Sequence, residues 1–215
     1  MYQPPHHRED RLDVQHALIR AHPFGTLVTL RADGLVANSI PFILESPPPL
    51  GILKGHVARA NDQWRDFRAD VEALVIFQGV ESYITPSWYA TKQETGKVVP
   101  TWNYAIVQVR GTMRVVEDRD WLAAQIAALT ALLEGVRQAP WSVADAPASF
   151  VEAQIKGIVG IEIPIARIEG KWKVSQNRPE ADRKGVAEGL RADGGEARKA
   201  MADLVEERGS KMPGR

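Results

Sequence analysis

The chain contains no cysteine. Disulfide cross-links, thiolate catalysis and Cys-ligated zinc or iron–sulfur clusters are therefore excluded, and the absence fits a reducing cytoplasm. Net charge is missing too, with 27 Lys and Arg against 27 Asp and Glu. Proteins that depend on phosphate-backbone contacts are usually basic, so DNA binding has no global support and would need a local basic patch. No apolar run is long enough to span a bilayer. The opening Met1-Tyr2-Gln3-Pro4-Pro5-His6-His7 lacks the basic-then-apolar order of a secretory signal. Also missing are a glycine-rich dinucleotide fingerprint, a Walker-type loop, a zincin helix and the serine elbow of hydrolases. His6-His7 has no carboxylate at ligand spacing, so no metal site is expected. These absences predict a soluble, cytoplasmic protein with no membrane partner.

What remains is an ordinary globular balance over 215 residues, 44% hydrophobic and 25% charged, which suits one core with or without an extension. Alternation predicts strands over Gly25–Arg31 and Leu35–Leu44, joined at an Asp33-Gly34 type I′ turn. Further strands are expected over Leu50–Gly55, the apolar run Val71–Gln78, Glu81–Ile84, and Tyr104–Val116, the longest clean alternation. Gly157–Ile168 follows, with Glu169-Gly170 turning the chain into Lys171–Ser175. Helical spacing marks Arg11–Arg20, Arg59–Arg68, Asp120–Gly135 and Ala148–Lys156. Pro86–Tyr89 reads as a short helical turn and Thr91–Lys97 as a mobile polar excursion. Beyond Arg178, acids and bases interleave, giving a solvated charged helix over Glu196–Glu207 and a disordered tip. Strands first and helices late predict a mainly β, α+β fold: an antiparallel, Greek-key-like β-barrel decorated with helices. The expected division is 1–190 for the barrel domain and 191–215 for the C-terminal extension.

Two clusters carry chemistry. Val99-Pro100-Thr101-Trp102-Asn103-Tyr104 places two aromatics and an amide at the mouth of a strand, where they could stack on a planar ligand and bond its edge. Lys171 to Arg178 adds cations, a hydroxyl at Ser175 and amides at Gln176 and Asn177. Lys171 and Lys173 share one strand face, and a cation near a flavin stabilises its anionic reduced ring. The two clusters read as walls of one cofactor site. A third string, His56 to Asn61, could bind a phosphate at a helix N-terminus with Arg59 matching it bidentately. The commoner alternatives are an aromatic strand end for Trp102-Asn103-Tyr104 and Trp88-Tyr89, a solvated hairpin for Lys173, and a helix cap for Asn61.

Taken together, these strings resemble the PaiB-like family of FMN-binding negative transcriptional regulators. The resemblance covers Met1 to about Leu190. It rests on Met1-Tyr2 with Pro4, Gly55 to Asn61, Phe77-Gln78-Gly79, Tyr83 to Tyr89, Val98 to Tyr104, and Lys173 to Arg178, six strings in one order. It implies an FMN-binding split β-barrel, homodimeric, with flavin in the groove between protomers. Carried over by residue, it implies a cofactor site of Ser39, His56, Arg59, Asn61, Trp88, Trp102, Asn103, Tyr104, Lys173, Ser175, Gln176 and Asn177. Ser39-Ile40-Pro41 departs from relatives that carry a His before the apolar-Pro pair, which puts proton transfer there in doubt. FMN is the implied cofactor, used by an FMN-dependent oxidoreductase or a flavin sensor, with His56 and Tyr104 the titratable groups nearest the site. Two alternatives stand beside it. One is a DNA-binding regulator in which flavin is a ligand or absent. The other is a haem-binding barrel using His6, His7, His16, His22 or His56.

Overall fold

Period-two alternation dominates the chain, but where each strand stops is decided by its partners. The computed structural model describes residues 1–210, so the tip expected beyond them lies outside the described residues. Strand and helix are nearly balanced, at 33% and 38%, with the strands in two antiparallel sheets. The chain divides into two compact units.

Among the described residues, the first unit comprises 1–15, 78–107 and 169–210. Its strands are β1 (Arg8–Glu9), β10 (Arg167–Lys173), β7 (Thr101–Gly111) and the distal half of β6 (Ala73–Ile84), neighbours in that order. The register Glu9↔Gly170 puts Glu169-Gly170 inside β10, not in the turn expected there. The reversal instead falls at Ile165-Ala166, whose N–H groups donate to the Gly51 and Arg110 carbonyls at 3.0 and 2.9 Å.

Three helices complete this unit. The stretch Thr91–Lys97, expected as a mobile excursion, forms α2 (Thr91–Thr95). The fully buried Asp182 holds it, accepting from the Thr91 N–H and hydroxyl at 2.9 Å each. The last two helices are α5 (Glu180–Asp193), which the charge pattern hid, and α6 (Glu196–Ser210). The solvated helix is a correction: Met201, Ala202 and Val205 of α6 are fully buried, as are Val186 and Leu190 of α5. Interleaved charge conceals an apolar face three and four residues apart, and burying each such side chain contributes about 1.5–3 kcal/mol. Arg208 near the end of α6 pairs with the buried Glu9 and lies 5.1 Å over the Trp172 ring.

The second unit comprises residues 16–77 and 108–168. β2 (Phe24–Arg31) pairs with β3 (Gly34–Pro41) from Phe24↔Pro41 to Arg31↔Gly34. The loop is therefore Ala32-Asp33, and only Gly34 takes positive φ, at 131°. The type I′ turn centred on Asp33-Gly34 does not form, since it would need positive φ at Asp33 as well. The proximal half of β6 pairs on the other side of β2. A separate sheet runs β4 (Ile43–Glu45), β5 (Ile52–Ala58), β9 (Ile158–Pro164), β8 (Arg114–Val116). Against it stand α3 (Arg119–Glu134), whose N-cap Asp118 accepts from the Trp121 N–H at 2.8 Å, and α4 (Ala148–Lys156). Trp121 lies so close to Gly160 that a Cβ there would come 2.4 Å from its ring.

The helix expected over Arg59–Arg68 is also corrected. β5 runs on through His56 to Ala58, because His56↔Gly160 and Val57↔Val159 continue the ladder. Only one 3-10 turn, Asp62–Trp64, follows. Its Gln63 is buried and plugs the β2–β3 hairpin, donating to the Leu27 carbonyl at 3.1 Å and the Thr29 hydroxyl at 3.2 Å. Buried backbone groups that would otherwise lack partners outweigh helix propensity here.

Candidate functional site

Along β7 the side chains alternate faces, so Trp102 and Tyr104 point one way and Asn103 the other. Trp102 keeps 48% of its surface exposed. It meets Tyr83 of β6 edge to face, centroids 6.0 Å apart. Tyr104 and Trp102 help to line a cavity of about 360 Å³ with Tyr2, Gln78 and Lys171. The Lys171 ammonium sits 5.3 Å from the Tyr2 ring centroid and 5.4 Å from that of Tyr104. Two residues on, Lys173 donates to the Trp102 carbonyl at 2.8 Å and to the Thr101 hydroxyl.

This corner of the unit is electropositive. Burial lowers the Lys173 pKa, and the Lys171 and Arg178 charges lower it further. His7 is brought down to about 4, by burial first and then by the His6, Lys171 and Lys173 charges. Its Nδ1 is buried without a hydrogen-bond partner among the described residues. Burial disfavours any charge here, but the mutual repulsion among Lys171, Lys173 and Arg178 is what an anionic ligand, or an anionic state of one, would relieve.

The amides serve the protein itself. Asn103 is buried, and its Nδ2 donates to the Ser175 hydroxyl at 2.9 Å. That bond fixes Ser175, which holds a left-handed backbone at φ 63°. Such a conformation is costly for a residue with a Cβ and persists where its surroundings impose it. Gln176, also buried, accepts from the Val174 N–H at 2.8 Å and donates to the His6 carbonyl at 2.9 Å. It thereby ties the N-terminal segment to the β10 end. Asn177 is exposed. The expected clusters are thus brought together, with Trp102, Tyr104 and the lysines on the wall and Asn103, Ser175 and Gln176 behind it.

Trp88 ends the 3-10 turn Pro86–Trp88 and packs on α5, where a Cβ at Gly189 would come 2.4 Å from its ring. The other four expected residues lie in the second unit. Ser39, on exposed β3, sits 3.3 Å from the Thr26 hydroxyl. His56 Nδ1 is 2.7 Å from Gln125 Oε1 of α3, and Gln125 Nε2 is buried without a partner among the described residues. Asn61 caps the 3-10 turn, accepting from the Gln63 N–H at 3.0 Å. Arg59 donates to Glu117 at 2.5 Å and to the Lys156 and Ile158 carbonyls at 3.0 and 3.2 Å. The helix N-terminus expected beside Arg59 does not exist, so a phosphate there would meet a guanidinium without helix N–H groups.

Tyr2 and Tyr83, not expected as site residues, also belong to this wall. The alternation of β6 and β7 could have paired Tyr83 with Trp102, but nothing local brings Tyr2 to Lys171.

The profile of the family described as "Putative FMN-binding domain" matches residues 1–167. An uncharacterised protein of Emericella nidulans is 36% identical, over 97% of this chain and 98% of its own. The Bacillus subtilis "Protease synthase and sporulation protein PAI 2" is 32% identical, again over 97% and 98%. Among solved structures, a conserved hypothetical protein of Mycobacterium tuberculosis superposes with a TM-score of 0.59 at 13% identity, over 84% of this chain and 95% of that one. The flavocytochrome Anf3 of Azotobacter vinelandii superposes with a TM-score of 0.55 at 13% identity, over 76% of this chain and 67% of that one; the fold shared with these structures is a split barrel.

Proposed function

The chain belongs to the FMN-binding family whose profile covers its first 167 residues, and with FMN as its cofactor we propose that it works as a flavin-dependent redox protein. The carrying observation is the electropositive aromatic wall: Trp102 and Tyr104 on one face of β7, with the Lys171 ammonium against the Tyr104 ring. When bound, FMN supplies one- and two-electron chemistry at its ring.

The residues present fit that cofactor. Aromatic faces suit a planar ring, and the Lys171–Lys173 corner suits the phosphate or the anionic reduced ring. In this proposal Trp102 and Tyr104 hold the ring, Lys171 stands at its polar edge, and Lys173 fixes the strand end through the Trp102 carbonyl. Asn103, Ser175 and Gln176 act as positioning residues. Within the second unit taken by itself, Arg59 is a phosphate candidate. Its ion pair with Glu117 lies at the surface, the side chains 37% and 54% exposed, and such pairs hold by only about 0–1 kcal/mol. A phosphate can therefore displace the carboxylate. A homodimer in the cytoplasm completes the reading. Regulation through the same flavin is a second use, favoured by the likeness to the sporulation protein of Bacillus.

The test is an absorbance spectrum of the purified chain before and after FMN addition and desalting, with tryptophan fluorescence read alongside. Retained flavin with quenched Trp emission is the expected result. A chain that retains no flavin under any condition overturns the proposal. Gel-shift assays at defined salt then separate the regulatory use from the enzymatic one.

A further inference from the structure

Trp102 also lines a second, larger cavity in the first unit, of about 510 Å³. Its aromatic walls are Tyr83, Trp88 and Trp102. Tyr83 and Trp102 stand 63° apart in plane, and each keeps 48% of its surface exposed. Two large rings left half in water form a wedge whose faces carry the negative side of the π quadrupole. One acid is fixed at this wedge: the Glu81 carboxylate accepts the Trp102 indole N–H. The turn between α5 and α6 adds Asp193, Glu196 and Arg198 to the lining. Three carboxylates thus face one guanidinium.

The third wall is held in place. Gly185 and Gly189 leave no room between α5 and Trp88, since a Cβ would come 2.1 Å from the Trp88 carbonyl oxygen and 2.4 Å from its ring, respectively. The cavity is therefore built before any ligand arrives, which lowers the ordering cost of binding.

We propose that this cavity binds a compact organic ammonium ion with an apolar body, the cation against the Tyr83 and Trp102 faces and paired with Glu81. The excess of carboxylates disfavours an anion, and a neutral apolar ligand gains nothing from Glu81. A bare metal ion is a poor fit, because no group of three acids or histidines among the described residues could hold one. The inference goes beyond the flavin reading and stands without it.

Calorimetry on the full chain, with and without FMN, tests it using three probes of one shape: 2-phenylethylammonium, 2-phenylethanol and 3-phenylpropionate. The cation is expected to bind about tenfold tighter than the alcohol, as a shielded cation–π contact with an ion pair allows, and the carboxylate more weakly than either. Glu81→Gln, at an exposed position, is expected to bring the cation to within about threefold of the alcohol. Tyr83→Leu removes one ring face and is expected to weaken the cation more than the alcohol. The proposal is overturned if the alcohol binds as tightly as the cation, if neither variant changes their ratio, or if no probe binds. Because the FMN-free chain is measured separately, a failure of flavin binding leaves this outcome readable.

Discussion

Replacing Lys171 by Met is expected to make bound flavin harder to reduce. Lys171 is 8% exposed and lines the cavity beside Tyr104. A unit charge at the distance Lys171 keeps from the Tyr104 ring, 5.4 Å, would stabilise an anionic ring by roughly 3 kcal/mol at an effective dielectric of about 20. Water at the cavity mouth takes part of that, leaving roughly 1.5–3 kcal/mol. Oxidised flavin is neutral at the ring and feels little of it, so the loss falls on the reduced form. The two-electron potential should drop by about 30–65 mV. Equilibrium titration of the FMN-saturated wild type and variant against a reference dye reads this directly. Met keeps the packing between Tyr2 and Tyr104, and Lys171→Arg should restore the potential. An unchanged potential with FMN still bound would refute the placement of Lys171 at the ring. Complete loss of oxidised FMN in the Met variant, with riboflavin binding intact, would also refute it by moving the cation to the phosphate.

The other predictions concern the phosphate, packing and acid. Arg59→Gln should weaken FMN by about 1–3 kcal/mol and riboflavin hardly at all, read by fluorescence titration, since only FMN carries the phosphate; equal losses would remove Arg59 from that role. Gly189→Ala should cost about 1–3 kcal/mol by driving a methyl into Trp88, lowering Tm by several degrees in a scan. Stability should climb with pH from about 2 to 6.5, in two stages. Burial pushes Glu9 up, but hydrogen bonds from Arg11 and Arg208 prevail and hold it at about 2. Its contribution is present above the ordinary carboxylate value and is lost as pH falls toward 2. His7, brought down to about 4, is neutral when folded, so the unfolded chain takes up its proton first as pH falls from 6.5 to 4. Urea unfolding across pH should show Glu9→Gln flattening the lower stage and His7→Gln the upper; a single unaltered slope in both would contradict the assignments.

Elements whose signal is local were legible. The expected Ala148–Lys156 is α4 as it stands, and Asp120–Gly135 differs from α3 by one residue at each end. A 3.6-residue apolar stripe and an Asp118 cap need no distant partner. Strand ends were less legible. Leu35–Leu44 is interrupted at Phe42, and Tyr104–Val116 breaks between Gly111 and Arg114, because a strand ends where its neighbour stops pairing. At the wall, the sequence marked Trp102, Tyr104 and the lysines by type and spacing. It also set Asn103 among them, although alternation turns that side chain to the far face, onto Ser175.

The sequence by itself determined which chemistry was available: no thiols, no net charge, aromatics followed by cations, and an order of strings that marks an FMN-binding barrel. Composition and spacing are properties of the chain, and they survive unfolding. Only the tertiary structure decided which of those residues line a cavity and which face each other. Tyr2 reaches Lys171 because Gly170 and Glu9 pair across the sheet. The charged C-terminal stretch is packed because Met201 and Val205 find a buried face. Arg59 meets Glu117 before any phosphate. Each is a contact between segments far apart in the chain, settled by the competition for burial and hydrogen-bond partners that no local pattern records.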